Sequence, residues 1–268
     1  MLLDAVIIVL RETLEAGVLV SVLITIASQH KLGLRWLVLA FAGGLAGAVI
    51  YARNMGVVSS WFEYVGQEVL NGIIQYSVYL CILFICLLAS ASSSAKSPVL
   101  VCLLTLTVAL ALIREATEII LFFSGFIGNS DVLSKAVTSG FIGLMIGLSV
   151  GALSYFGIMS LKPGWIRPAQ IVVLALVGAG MVAQATQLLI QADWLPSVAP
   201  LWDTRNILPE ASIPGELAYA IFGYEATPTP LEAWLFIGAL LSIPLAIVLW
   251  RSVSNNKSNS AVHQEITQ

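Results

Sequence analysis

Two pentapeptides carry most of the candidate chemistry in this sequence. Arg11-Glu12-Thr13-Leu14-Glu15 and Arg114-Glu115-Ala116-Thr117-Glu118 share the order Arg-Glu-x-x-Glu, lie 103 residues apart, and each interrupts an apolar run. Successive helical residues advance by about 100 degrees, so the arginine and both glutamates of each motif fall on one helix face. An ionised side chain at mid-membrane costs about 2.5–3.5 kcal/mol even on the mildest scale, so these groups must pair, face water, or both. If the motifs meet, four carboxylates and two guanidiniums leave a formal charge of −2, which suits a cation. Carboxylate oxygens are hard ligands that fit ferric iron, manganese, magnesium or calcium, and no His or Cys lies near them to favour copper(I) or a tight zinc cage. Glu12, Glu15, Glu115 and Glu118 are therefore candidate metal ligands. Arg11 and Arg114 would position them and limit the charge of the empty site. The competing reading is a pair of buried clips that only join helices.

Composition says where these motifs sit. Of 268 residues, 59% are hydrophobic and 10% charged, and the mean hydropathy is +0.95. So much apolar surface does not fit inside one soluble core, and an integral membrane protein is expected. Runs long enough to cross the hydrocarbon layer occur at about 2–28, 35–53, 69–91, 98–124, 137–160, 168–192 and 231–250, predicting an all-α fold of seven transmembrane helices. The first run has Asp4, Arg11, Glu12 and Glu15 where a cleavable signal would be uncharged, so it is expected to remain in the protein. Cys81, Cys86 and Cys102 lack CxxC spacing and read as small apolar side chains.

Basic residues Lys31, Arg35, Lys96, Lys162, Arg167, Arg251 and Lys257 collect on one set of connections, while most acids collect on the other. The positive-inside rule then puts the amino terminus outside and the carboxyl terminus in the cytoplasm. Similarity between the halves extends past the charged motifs. Gly43 and Gly47 form a GxxxG in the second run, and Gly143, Gly147 and Gly151 a double one in the fifth, a spacing that lets membrane helices approach closely. Asn71, Gln75 and Tyr79 in the third run, and Gln184, Gln187 and Gln191 in the sixth, make polar stripes. Of these, Gln75, Tyr79, Gln184 and Gln187 are candidates for lining a pathway, with interhelical hydrogen bonding as the alternative. Three spans per copy invert the second copy, so two inverted three-helix repeats (about 2–91 and 98–192) plus one extra helix (about 231–250) are expected, with a site between the halves. The proline-rich connection 193–230 is expected outside, with a short helix within 214–222. Its acids Asp203, Glu210, Glu216 and Glu225 could gather cations, or simply be solvated. Residues 252–268 read as a disordered cytoplasmic tail following a permease domain of 1–251.

The doubled motif in the first and fourth of seven spans resembles the iron permease family, the membrane subunits of oxidase-dependent iron transport in fungi and bacteria. The connection Leu201-Trp202-Asp203-Thr204, Gly215 and Phe222-Gly223-Tyr224 before Pro228 looks like that family's last periplasmic loop. The resemblance implies import of iron, usually ferric, across a bacterial inner membrane or equivalent cell membrane, handled by Glu12, Glu15, Glu115 and Glu118. It also implies a partner, either a ferroxidase or a periplasmic iron-delivery protein. The chain departs from the family's usual Gly-Leu between the ligands, having Thr13-Leu14 and Ala116-Thr117. No permanently bound cofactor, nucleic-acid partner or enzymatic activity is expected, since no nucleophile with a nearby base stands out and His30 and His263 read as surface residues. Import of another cation such as manganese or lead, or a non-transporting membrane sensor or scaffold, remain alternatives.

Overall fold

The computed structural model describes residues 2–90 and 97–266. Among them the ordered elements are helices only: α1 (Leu2–Gln29), α2 (Arg35–Arg53), α3 (Met55–Ser59), α4 (Gly66–Ser90), α5 (Pro98–Ser124), α6 (Ser130–Met159), α7 (Pro163–Gln191), α8 (Ile213–Phe222) and α9 (Pro230–Ile266). Six, namely α2, α4, α5, α6, α7 and the 230–250 part of α9, are long and apolar enough to cross a membrane. The sequence predicts seven, and the difference is α1. It has 28 residues, about 42 Å at 1.5 Å per residue, but it carries the charged motif and is not among those six. α1 packs against α5, α6, α7 and α8. Glu12, Thr13 and Glu15 are thereby buried against protein, which is how a helix with charges at its middle is accommodated.

Local signals set the helix ends. Asn129 caps α6 by accepting from the Val132 amide, and Pro98 stands in the first turn of α5, where its missing N–H costs nothing. Ser212 caps α8 at the Gly215 amide. Thr229 and Glu232 exchange side-chain and backbone hydrogen bonds in a capping box at the start of α9. Past Ser252, where composition predicts a disordered tail, the α9 backbone continues helical to Ile266; no Gly or Pro follows Pro244 to break it. Lys96 lies outside the described residues, as do the side chains of Arg251 and Lys257.

The long helices pair α1 with α6 and α2 with α5, while α4 lies against α7. Small residues permit the first two pairings. A methyl group at Gly143 would sit 2.3 Å from the Val6 carbonyl oxygen and 2.9 Å from the Leu10 amide nitrogen, and one at Gly147 would meet Thr13 at 2.8 Å. On α2 only one of the expected pair makes the contact: a methyl at Gly47 would meet Ile113 of α5 at 2.7 Å. Gly43 has open space around it, and Gly44 instead faces Leu112 and the Ala109 carbonyl of α5. Ala40, Gly44 and Ala48 are buried, as are Gly143, Gly147 and Gly151, and the same 103-residue offset relates the two triplets. The buried stripe on α2 is thus displaced by one residue from the glycine pair the sequence picks out, with alanine at two of its three positions. Gly143→Val is expected to cost about 1–3 kcal/mol or more through backbone overpacking. Gly43→Ala is expected to be neutral or to stabilise by up to about 1 kcal/mol. Thermal unfolding of the two variants in detergent checks both.

Of the three cysteines, Cys81 and Cys86 are buried and Cys102 is exposed on α5, all with free thiols.

Candidate cation site

The packing of α1 beside α5 brings the two charged motifs into one network. Arg11 donates to Glu12 Oε1 from Nε at 2.8 Å and from Nη2 at 2.5 Å, and reaches Glu118 Oε2 on the other helix at 3.5 Å. Arg114 does the same in reverse. Its Nη1 donates to Glu115 Oε1 at 2.8 Å and to Glu15 Oε2 at 3.0 Å, and its Nη2 lies 3.3 Å from Glu118 Oε1. Each arginine thus binds the glutamate next to it and the second glutamate of the opposite motif. The 103-residue offset exchanges the pair Arg11–Glu118 with Arg114–Glu15, and Arg11–Glu12 with Arg114–Glu115. The same exchange carries Glu12 and Glu115 into one another.

The exchange is not perfect. Arg114 is 6% exposed and holds three glutamates, whereas the Arg11 side chain is 29% exposed and packs 6.0 Å from the ring centroid of Tyr219 on α8. Glu12, Glu15 and Glu115 are buried, while the Glu118 side chain retains 26% exposure. Three carboxylate oxygens, Glu12 Oε2, Glu15 Oε1 and Glu115 Oε2, are buried with no hydrogen-bond partner. Unpaired buried acceptors of this kind cost free energy unless a donor or cation reaches them. They fit a cation, which prefers oxygen ligands of this type. Yet in this arrangement the arginines occupy the carboxylates, and among the described residues no group of three or more His, Cys, Asp or Glu is spaced to enclose a metal ion. A metal would have to displace guanidinium contacts.

The polar stripes divide. Gln75 donates to Gln184 across the α4–α7 contact at 2.6 Å, and Gln187 donates to Glu225 at 3.1 Å. Tyr79 instead bonds Ser242 and the Ala239 carbonyl of α9, fastening α4 to that helix. Tyr76, which sequence periodicity left out, bonds Thr186 at 2.8 Å across the same α4–α7 contact.

A cavity of about 350 Å³ opens between α7, α8, α9 and the 193–230 connection, with Gln184, Glu225 and Glu232 among its lining residues. A small adjoining space of about 10 Å³ is lined by Gln184, Gly223 and Glu15, so Gln184 borders both. α8 covers this approach. Its C-terminal Gly223, at φ 64°, touches α7 so closely that a methyl there would lie 2.3 Å from the Gly180 Cα. Glu232 carries no distinguishing signal in the sequence; the fold places it both in the cap of α9 and on the cavity wall.

The acids of the connection also separate. Asp203 is gripped by Arg205 at 2.6 Å, and that bonding holds its carboxyl down at about 2. Glu210 accepts from the Ala226 amide at 2.7 Å, and Glu216 stands in the first turn of α8. Glu225 differs: burial, then the nearby Glu210 and Glu232, push its carboxyl up to about 7. Its folded form holds the proton more tightly than the unfolded chain, so its stabilising contribution is complete below about 4.5 and is lost as the pH rises through about 7. The unfolding temperature of the wild type is expected to fall more between about pH 5 and pH 8 than that of Glu225→Gln, as measured by thermal scans across that range.

Fold and site together define an all-helical, multi-pass membrane protein built around a buried ion-pair network. Compared with models of protein families, with curated proteins and with solved structures, the chain matches none.

Proposed function

We propose that this chain is a cation permease that imports iron, with α1 serving as a seventh span and α1–α4 and α5–α7 forming inverted repeats around the charged network. The observation that carries the reading is the exchange of ion pairs between the two Arg-Glu-x-x-Glu motifs. Two unrelated helix clips have no reason to swap partners under one sequence offset, whereas a site shared by two inverted halves does. The pairings α1 with α6 and α2 with α5 support the repeat, since the same exchange converts one into the other.

In this mechanism the cavity beside Glu225 and Glu232 is the outer vestibule, the amino terminus is outside, and the carboxyl terminus is cytoplasmic. Iron sheds water there, passes Gln184, and reaches Glu15 beneath α8. Binding to Glu12, Glu15, Glu115 and Glu118 draws these carboxylates away from Arg11 and Arg114, whose freed positive charges then favour release inward when the halves shift. The arginine contacts keep the empty site from standing as uncompensated buried charge. A ferroxidase or periplasmic iron-delivery protein would supply ferric iron at the vestibule.

The arginine contact made by each of the four glutamates favours one alternative, a membrane scaffold or sensor that moves no ion. Uptake of radioactive iron into proteoliposomes containing this chain alone separates the two readings. Accumulation of ferric or ferrous iron above protein-free vesicles is expected. Absence of uptake for every cation offered, including manganese and lead, by folded protein with and without an oxidase would reject the permease.

A further inference from the structure

Away from the residues that line the vestibule, α2 and α6 border a second cavity of about 370 Å³ beside α1 and α5. Its rim is apolar and open, with Phe41, Leu45 and Leu148 each 39–50% exposed. Its floor contains Glu12, Thr13 and Glu115. These residues are 0%, 8% and 2% exposed, and each holds a buried oxygen, Glu12 Oε2, Thr13 Oγ1 or Glu115 Oε2, with no hydrogen-bond partner. A bare metal ion has no path through such a rim, because nothing along Phe41, Leu45 or Leu148 replaces its water. A neutral lipid chain would satisfy the walls and leave the floor unpaired.

We infer that this groove binds an amphipathic ammonium: an apolar chain between Leu45 and Leu148, with its N–H donors directed at Glu12, Thr13 and Glu115. An ammonium offers three donors and no acceptor, which matches a floor of a hydroxyl and two carboxylates. The volume lies in the range of about 300–1,000 Å³ usual for small-molecule sites. The 103-residue offset relates Leu45 to Leu148 and Glu12 to Glu115, so the chain lies between equivalent walls and the head between equivalent carboxylates. The inference goes beyond iron import and does not require it. Ligand in the groove would compete for the glutamates through residues that the vestibule does not share.

The test uses the full chain in phosphatidylcholine nanodiscs and radiolabelled octylammonium as probe. One saturable site per chain is expected, displaced by unlabelled octylammonium and not by octanol or octyl sulfate. Leu148→Trp and Leu45→Trp, which fill the groove from exposed positions and leave every charge in place, are expected to weaken binding at least about tenfold. Glu225→Gln, in the other cavity, should leave it unchanged. Equal displacement by octanol, no saturable binding, or unaltered binding in both folded tryptophan variants would overturn the inference. Iron uptake by the same tryptophan variants is read separately, so loss of the amine site does not count against the permease.

Discussion

Arg114→Leu is expected to prevent accumulation of folded protein, or to cost about 3–5 kcal/mol where it can be purified, because it strands buried carboxylates without their counter-charge. Arg114 Nη1 alone bonds both Glu15 and Glu115, and Nη2 adds Glu118. Arg11→Leu is expected to be milder, since that side chain is partly exposed and bonds only Glu12 and, more distantly, Glu118. If burial of unpaired charge is the cause, Glu15→Gln combined with Glu115→Gln should recover much of the loss in the Arg114→Leu background. Arg114→Lys should not, since an ammonium is a point charge and lacks the fork that spans several carboxylates. Detergent-extracted yield and unfolding temperature of the four variants check this. Equal tolerance of leucine at positions 11 and 114 would contradict the asymmetric network.

Glu15→Ala and Glu118→Ala are each expected to reduce the initial rate of iron uptake into proteoliposomes by about tenfold or more, or about 1.4 kcal/mol of barrier at minimum. Both glutamates bind the arginine of the opposite helix, so the loss of either removes an ion pair that joins α1 to α5. They differ in position: Glu15 borders the small space below α8, while the Glu118 side chain is the most exposed of the four. The double variant should therefore be no worse than the more damaged single one, because effects within one site are not additive. Full uptake in either single variant, with the protein folded and inserted, would remove the metal role of these residues. Retained stability together with lost uptake would separate a transport site from a helix clip.

How much of this was legible in the chain differs by element. The charged motifs were, because six ionisable groups in apolar runs have few explanations, and helical geometry alone puts each triplet on one face. The all-helical fold was too, since segments of about 20 apolar residues must satisfy their backbone internally. Pairing of the small-residue stripes was only half legible. Ala40, Gly44 and Ala48 join Gly47 in the contact where Gly43 was expected, and an alanine in a membrane helix carries no mark of the partner it touches.

Tertiary structure alone decided which arginine binds which glutamate, because that depends on the register between α1 and α5, and no local pattern encodes it. It separated Gln75 and Gln184, which meet, from Tyr79, which leaves for α9. It set Asp203 apart as a surface ion pair and brought Glu225 and Glu232 to one cavity. It also produced the groove that α2 and α6 border beside α1 and α5. Sequence by itself determined which side chains must find partners away from lipid; only the packing of helices far apart in the chain determined which partners they found.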